Sequence, residues 1–471
     1  MIERIIVPAL EVPARLDRFC AVALERIPSR AFARKVIKRG GILLNGETVE
    51  SSRFVREGDE VVLVDTGRRP ARVFETTLQV LFEDRHLAVV DKPAGIPTSG
   101  LKHRTLEHAL PANLEPSTEP DALERPRVVH RLDVRTQGLV ICAKTASAQV
   151  ALGRLFEQRL VSKRYRALLL GALAGEGIVD SPVAGRTART RWRAVTTTPS
   201  LTPGALTTVD LWPETGRTHQ LRRHMASLGH PILGDEAYTS GKVLRRAGLF
   251  LAAIELGLPH PVGGNPLRIE RSEPDKFTAQ RRRERRRFMR HDAVRLLADH
   301  EAVDELEAAH LAAASALCGV DDDACSRSHF EPGHFTASAM VLSPDERDVL
   351  LIHHQKLGRW LQPGGHIEPS DTGFLAAARR EVLEETGIAD LDVLGLLDVD
   401  VHAIPAREPE PRHEHHDLRF LFRAHSRAMH AGDGATDARW FPLDGVDGSD
   451  ESVYRAIRKI IRRRGGAPAG R

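Results

Sequence analysis

Residues 281–290, RRRERRRFMR, divide this chain. Composition shifts twice around that run: mixed apolar and polar sequence gives way to arginine, then to a helical, alanine-rich, acidic segment ending in DDD at 321–323. At 471 residues the chain is too long for one core, because domains mostly run to about 100–200 residues, so two or three are expected. We place a boundary near residue 290, with 276–290 as a basic linker. Such runs attract phosphate backbones without reading sequence. A solvated helix or linker explains them equally well, and the same holds for RKIIRRRGGAPAGR at 458–471.

Other features exclude whole classes. Apolar residues make up 41% of the chain, and the longest apolar runs, such as RALLLGALAG, fall short of the roughly 20 residues a membrane span needs. The N-terminus MIERIIVPALEVPARLDRF carries acids and a proline where a signal peptide needs an unbroken apolar stretch. A soluble, cytoplasmic protein with no membrane partner is therefore expected. Four scattered cysteines, Cys20, Cys142, Cys318 and Cys325, form no CxxC pair, which fits a reducing compartment and argues against a zinc or disulfide framework. Net charge is only +4, yet the pI is about 9.0 because arginine is concentrated locally.

Residues 13–66 suggest a small helix pair and hairpin. RLDRFCAVALERI spaces Leu16, Phe19, Val22 and Leu24 helically, and Ser29 is an N-cap for PSRAFARKVIKRGG. Asn45-Gly46 in ILLNGETVE predicts a tight hairpin. The second helix carries Arg30, Arg34, Lys35, Lys38 and Arg39, a plausible RNA grip. SRAFARKVIKRGGILLNG with VREGDEVVLV resembles the RNA-binding domain named after ribosomal protein S four, a small α/β unit.

From 78 to 275, strand-like runs (LQVLFEDRHLAVVDKP, GLVICAKT, YRALLLG, LTTVDLWPE) alternate with helical stretches such as ASAQVALGRLFEQR, a mixed α/β pattern. EDRHLAVVDKPAG, HRLDVRTQGLVICAKT, FEQRLVSKRYRALLLG, TGRTHQLRRHMASLGHPILGDEAY and LFLAAIELGLPHP occur in the order found in RluA/RluD-type pseudouridine synthases. The resemblance implies a central antiparallel-rich sheet and an enzyme that isomerises uridine to pseudouridine in RNA without a cofactor. It makes Asp133 of HRLD the catalytic aspartate, either nucleophile or base. Tyr165 stacks on a flipped base, Arg222 pairs with the aspartate, and Arg131 helps extrude the base or position phosphates. Gln137 stands where the family usually has serine. Arg217 and His219 are read as turn or structural residues. HRLD with the upstream RNA-binding domain suggests large-subunit rRNA, with tRNA as the alternative.

In 291–462, GGHIEPSDTGFLAAARREVLEETGI puts Glu381, Glu384 and Glu385 on one helical face. Crowded carboxylates repel unless a cation lies between them, and hard divalent ions prefer such oxygen ligands. The stretch resembles the Nudix box, which hydrolyses substrates with a diphosphate linked to another moiety. The resemblance implies an α/β/α sandwich, magnesium or manganese, and a nucleotide-type substrate. Gly365, Asp371 and Arg380 match the supporting positions, although the acid is shorter than the family's glutamate and one residue is extra. His413, His415 and His416 of PRHEHHDLRF supply a base or substrate contact, or else are satisfied or solvated loop histidines. The whole is expected to be a multidomain α+β protein: a pseudouridine synthase with an attached hydrolase. The alternatives are a synthase with a non-catalytic Nudix module, and a non-catalytic RNA-binding assembly factor.

Overall fold

The computed structural model of the chain describes residues 3–465 except 11, 25, 28, 65–72, 101, 240–247, 321–322 and 433. The end of the C-terminal basic run, 466–471, and two of the three aspartates at 321–323 lie outside the described residues. Two compact units result: residues 1–77 with 99–113, and 78–98 with 114–471.

In the first unit, helices α1 (Leu16–Ala23) and α2 (Arg30–Lys38) accompany a small sheet whose strands run in the order Glu3–Ile6, Glu60–Leu63, Ile42–Leu44, Glu47–Thr48. The Ser29 hydroxyl accepts the Phe32 N–H at 3.2 Å, which satisfies one of the donors a helix start leaves open. Asn45 and Gly46 both have left-handed backbone, φ 51° and 82°, as a two-residue hairpin turn requires. Leu16, Phe19 and Leu24 are buried, whereas Val22 is exposed and Cys20 is buried instead. The period of 3.6 puts Cys20, one turn after Leu16, on the inner face. A short helix α3 (Leu106–Ala109) is capped by Thr105.

The first half of the second unit is a ten-stranded sheet accompanied by α4 (Ala146–Glu157) and α5 (Gln220–Ser227). Nearly every pairing is antiparallel. The exception lies at the centre, where strand Gln137–Thr145 runs parallel to Leu251–Pro259. Gly138 pairs there with Ala253, and a Cβ on Gly138 would come within 2.2 Å of the Ala253 carbonyl oxygen. Only glycine permits that approach. Tyr165 pairs with the other side of Ala253, so the strand after the HRLD turn and the strand of Tyr165 share one line across the sheet.

Residues 276–290, expected as a linker ending at a boundary near 290, lie within one uninterrupted helix, α6 (Asp275–Ala298). Arg282, Arg283, Arg287 and Arg290 are exposed, whereas Phe277, Gln280, Glu284 and Met289 are buried. Phe277 packs edge-on against Phe250, and Glu284 accepts from Ser200 at 2.6 Å. Further along, Met289, Ala293 and Leu297 join the core of the following portion. Its buried positions keep helical spacing in two stretches, Phe277, Gln280 and Glu284 and then Met289, Ala293 and Leu297, and the step of five between Glu284 and Met289 turns the second stretch to another face.

That portion is a sheet covered on one face by α7 (Glu305–Leu317) and α8 (Phe374–Thr386), and on the other by α9 (Glu451–Gly465), an α/β/α sandwich. Asp292 of α6 accepts the Phe374 N–H at 3.1 Å, putting a carboxylate at the start of α8. A buried ionic network ties the layers together. Asp398 accepts from Arg419 at 3.1 Å, Arg455 at 2.8 Å and Lys459 at 3.0 Å, and Lys459 also meets Glu307. Among the described residues, no helix is long and apolar enough to cross a membrane.

Candidate functional site

The HRLD turn opens into a cleft of about 550 Å³. Val129 to Asp133, Lys163, Tyr165, Glu214 to Arg222 and Leu251 line it, so the turn, the tyrosine strand and the start of α5 all contribute. A carboxylate, an aromatic ring and a guanidinium, far apart in sequence, thereby face one space of a size that suits a small ligand.

Asp133 is partly exposed in this cleft. Its Oδ2 lies 3.7 Å from His219 Nε2 and 4.0 Å from Arg222 Nη1. Arg222 is expected to pair with Asp133, but its fork goes elsewhere: Nε and Nη2 donate to the two oxygens of Asp235 at 2.7 and 2.6 Å. The reason is geometric, because a planar guanidinium matches a carboxylate most strongly when both oxygens are met. One nitrogen remains for Asp133. Burial works against the charge of Arg222, and its hydrogen bonds to Asp235, with the charge of that carboxylate, outweigh it, so its pKa is raised. Asp235 is fully buried.

Burial of the Tyr165 phenol pushes its pKa up, so the ring faces the cleft uncharged. Arg131 is exposed at the rim. His219 adopts left-handed backbone, φ 58°, as its turn position suggests. Its ring nevertheless sits beside Asp133, with Nδ1 2.9 Å from the Tyr238 hydroxyl. Arg217 lines the cleft while its Nε donates to the Thr187 carbonyl at 3.1 Å. Gln137 starts its strand in register with Ala252.

Sequence reasoning missed three supports. Lys92 of VVDKPAG is fully buried, and its Nζ donates to the carbonyls of Pro93 at 2.9 Å, Ile96 at 3.0 Å and Val134 at 3.4 Å, pinning the residue after Asp133. Burial lowers its pKa to about 8, against the pull of Asp133 and Asp91. Thr98 accepts the Leu132 N–H at 3.0 Å and donates to the Leu132 carbonyl at 2.9 Å, which fixes the residue before Asp133. Asp235 is the third. Lys92 and Asp235 both stand in motifs quoted above, and a charge inside an otherwise apolar or turn motif was the available signal.

On α2, Arg30 and Arg34 both donate to buried Asp17, at 3.0 and 2.6 Å, while Lys35 and Lys38 are exposed. All four of these α2 residues are exposed, and the two arginines differ from the lysines in being tied to Asp17.

In the sandwich, Glu381, Glu384 and Glu385 share α8. Arg380 Nη1 donates to Glu381 at 2.8 Å and Glu384 at 2.9 Å, while its Nε and Nη2 each meet Asp371 at 3.0 Å. Despite its shifted spacing, Asp371 therefore reaches the arginine. Glu385 accepts the Gly364 N–H at 3.1 Å. A Cβ on Gly365 would lie 2.6 Å from Glu381 Oε1, so the glycine lets the strand approach that carboxylate. Burial, and then the neighbouring Glu381 and Glu384 charges, push Glu385 up to about 8. Burial also raises Glu381. Carboxylates held this close and this dry suit a divalent cation, which reverses both penalties. His413, His415 and His416, for which a base or substrate contact and a loop of satisfied or solvated histidines are the two expectations, lie on strand His413–Ala424. Alternation turns His413 and His415 to one face and His416 to the other.

The chain matches the S4 domain family over residues 14–61, RNA pseudouridylate synthase over 86–227 and the NUDIX domain over 333–463. It is 33% identical over 292 residues to an uncharacterized RNA pseudouridine synthase of Aquifex aeolicus, covering 91% of that protein and 56% of this chain. It is 35% identical over 293 residues to the ribosomal large subunit pseudouridine synthase D of Xanthomonas campestris, covering 86% of that protein and 55% of this chain. With the enzyme of the same name from Nitrosomonas europaea, identity is 39% over 227 residues, covering 64% of that protein and 43% of this chain. The chain belongs to the RNA pseudouridine synthase family and carries an S4 domain before the synthase portion and a NUDIX domain after it.

Proposed function

We propose that this chain isomerises uridine to pseudouridine in large-subunit ribosomal RNA, with Asp133 as the catalytic carboxylate. The carrying observation is the cleft in which Asp133, 4.0 Å from Arg222 Nη1, shares one space with Tyr165. The reaction breaks the N1–C1′ bond and forms C5–C1′; the proton lost from C5 is matched by one gained at N1. No redox step is needed. A helical base must first be flipped out, at a cost of a few kcal/mol. Stacking on Tyr165 returns roughly 1–3 kcal/mol, and Arg131 at the rim steadies the extruded nucleotide's phosphates. Asp133 then acts on the ribose, with Arg222 Nη1 beside it. Asp235 positions Arg222, and Lys92 and Thr98 hold the turn. The rRNA assignment draws on the relatives named for the ribosomal large subunit, together with the S4 domain, where Lys35 and Lys38 contact phosphates beside Arg30 and Arg34.

The NUDIX portion, in this reading, is a pyrophosphohydrolase for a nucleoside-diphosphate-linked substrate. Glu381, Glu384 and Glu385 hold magnesium or manganese, which clamps the diphosphate and lowers the pKa of water when bound. Gly365 admits the strand, and Asp371 and Arg380 orient Glu381 and Glu384. The domains span 13–66, 78–275 and 291–462, with 276–290 joining the latter two, and the protein works in the cytoplasm.

Pseudouridine mapping of ribosomal and transfer RNA from cells lacking the gene, complemented with wild type or Asp133→Ala, tests this. One large-subunit rRNA site should disappear and return with wild type alone. An unchanged rRNA map, or rescue by the variant, contradicts the reading.

A further inference from the structure

The sandwich contains a second cluster of potential ligands, on the sheet face opposite α8. His334 and His415 are directly paired across adjacent parallel strands, and His413 lies two residues before His415, on the same face. Each offers one ring nitrogen, and these nitrogens all lie within 4.8 Å of one another. Outer contacts fix which nitrogen is free. His334 Nδ1 donates to the His329 carbonyl at 3.1 Å and His413 Nδ1 to the Pro411 carbonyl at 2.7 Å, leaving Nε2 of both rings as a lone pair. Metal-ligating histidines are held by this type of bond, from the second ring nitrogen to a carbonyl.

Two further observations point to a ligand. His334 is buried, and its Nε2 has no hydrogen-bond partner among the described residues, a state that costs about 1–3 kcal/mol. The ring centroid of His366 lies 5.1 Å from His334 and 5.2 Å from His415, so a fourth imidazole borders the group. Burial disfavours the charged form of three of these rings, with His334 lowered to about 4 and His415 and His366 also lowered. Simple ring packing accounts for the contacts but not for a buried His334 nitrogen without a partner.

We propose that His334, His413 and His415 form a transition-metal site, with zinc as its ion. Imidazole nitrogens suit zinc and its neighbours, whereas magnesium prefers oxygen, so this site is chemically distinct from the α8 glutamates. It is also spatially distinct: Gly365 faces Glu381, and the next residue, His366, faces the histidines. Three protein nitrogens leave a fourth position, bordered by His366, for water or a ligand oxygen. The scattered cysteines argued against a cysteine-based zinc framework, and a histidine site needs none. The inference does not depend on the proposed hydrolase activity.

The test uses the full chain, stripped with a chelator and titrated with Zn²⁺ or Co²⁺. One zinc should bind per chain, and cobalt should show the intense visible bands of tetrahedral nitrogen coordination. The double variant His413→Asn/His415→Asn should bind zinc more than about 100-fold more weakly, beyond the loss of an outer-shell partner. Glu381→Gln and Glu384→Gln should leave the zinc stoichiometry unchanged. Weak octahedral cobalt bands, wild-type affinity in the histidine variant, or zinc binding lost with the glutamates each overturn the site. If the double variant does not fold, the wild-type cobalt spectrum still decides.

Discussion

The synthase cleft and the α8 face both present carboxylates to a substrate, yet they treat negative charge in opposite ways. Asp133 is a single carboxylate, partly exposed, with His219 and Arg222 within 4.0 Å and the buried Lys92 behind the turn. Its neighbours are cations or potential cations of the chain itself. The glutamates of α8 are crowded with one another, with Arg380 as the neighbouring cation, and burial raises two of them. One arrangement works with the charges the chain supplies, and the other calls for a divalent ion. The two sites thus differ in how many carboxylates share each one.

The largest expected effect follows from removing the lone carboxylate. Asp133→Ala should lower pseudouridine formation by more than about four orders of magnitude in single turnover, the scale seen when a central catalytic group is deleted. Next is Asp235→Ala, which strips the buried Arg222 of its bidentate partner. Denaturant unfolding should show a loss of about 3–5 kcal/mol, and Asp235→Asn, which keeps the shape, should lose less while still slowing turnover. An unchanged rate in a folded Asp235→Asn protein would break the positioning role.

Tyr165→Leu should weaken the reaction by roughly 1–3 kcal/mol, the worth of one stacked base, while Tyr165→Phe should keep most activity because the ring, not the hydroxyl, does the stacking. The α8 side is sharpened by pH. Glu385 has a folded pKa of about 8 against an ordinary 4.5, so between those values the folded state binds more protons than the unfolded one, and metal-free stability falls as pH rises. Thermal unfolding across that window should show the fall, magnesium should offset it, and Glu385→Gln should flatten it. A metal-free stability that rises there instead contradicts the crowding argument. The smallest effect belongs to the S4 portion: Lys35→Ala or Lys38→Ala should each reduce the salt slope of RNA binding by about one phosphate contact.

Local chemistry was legible in the sequence, and pairing across distance was not. The Ser29 cap, the Asn45-Gly46 turn and the run of α8 depend on neighbours within a few residues. Asp235 depends on meeting Arg222 across a turn, and Lys92 on three carbonyls that converge only in the fold. The helix through 276–290 was not legible as a packed element, because Gln280 and Glu284 hold inward positions that an apolar pattern would normally mark, and the buried Phe277 and Met289 stand among arginines. For PRHEHHDLRF a loop is only one of two expectations, and the alternation of His413 and His415 has the period of a strand. Only the structure brings His334 beside them.

The most direct measurement is single-turnover pseudouridine formation by the full chain on large-subunit rRNA, in the presence of a divalent-metal chelator and an RNA substrate that folds in monovalent salt. The account predicts the wild-type rate unchanged by chelation and no product from Asp133→Ala. A rate that collapses with chelator and returns with added metal, or product formed by the variant, contradicts the claim that one carboxylate among the chain's own cations carries this chemistry.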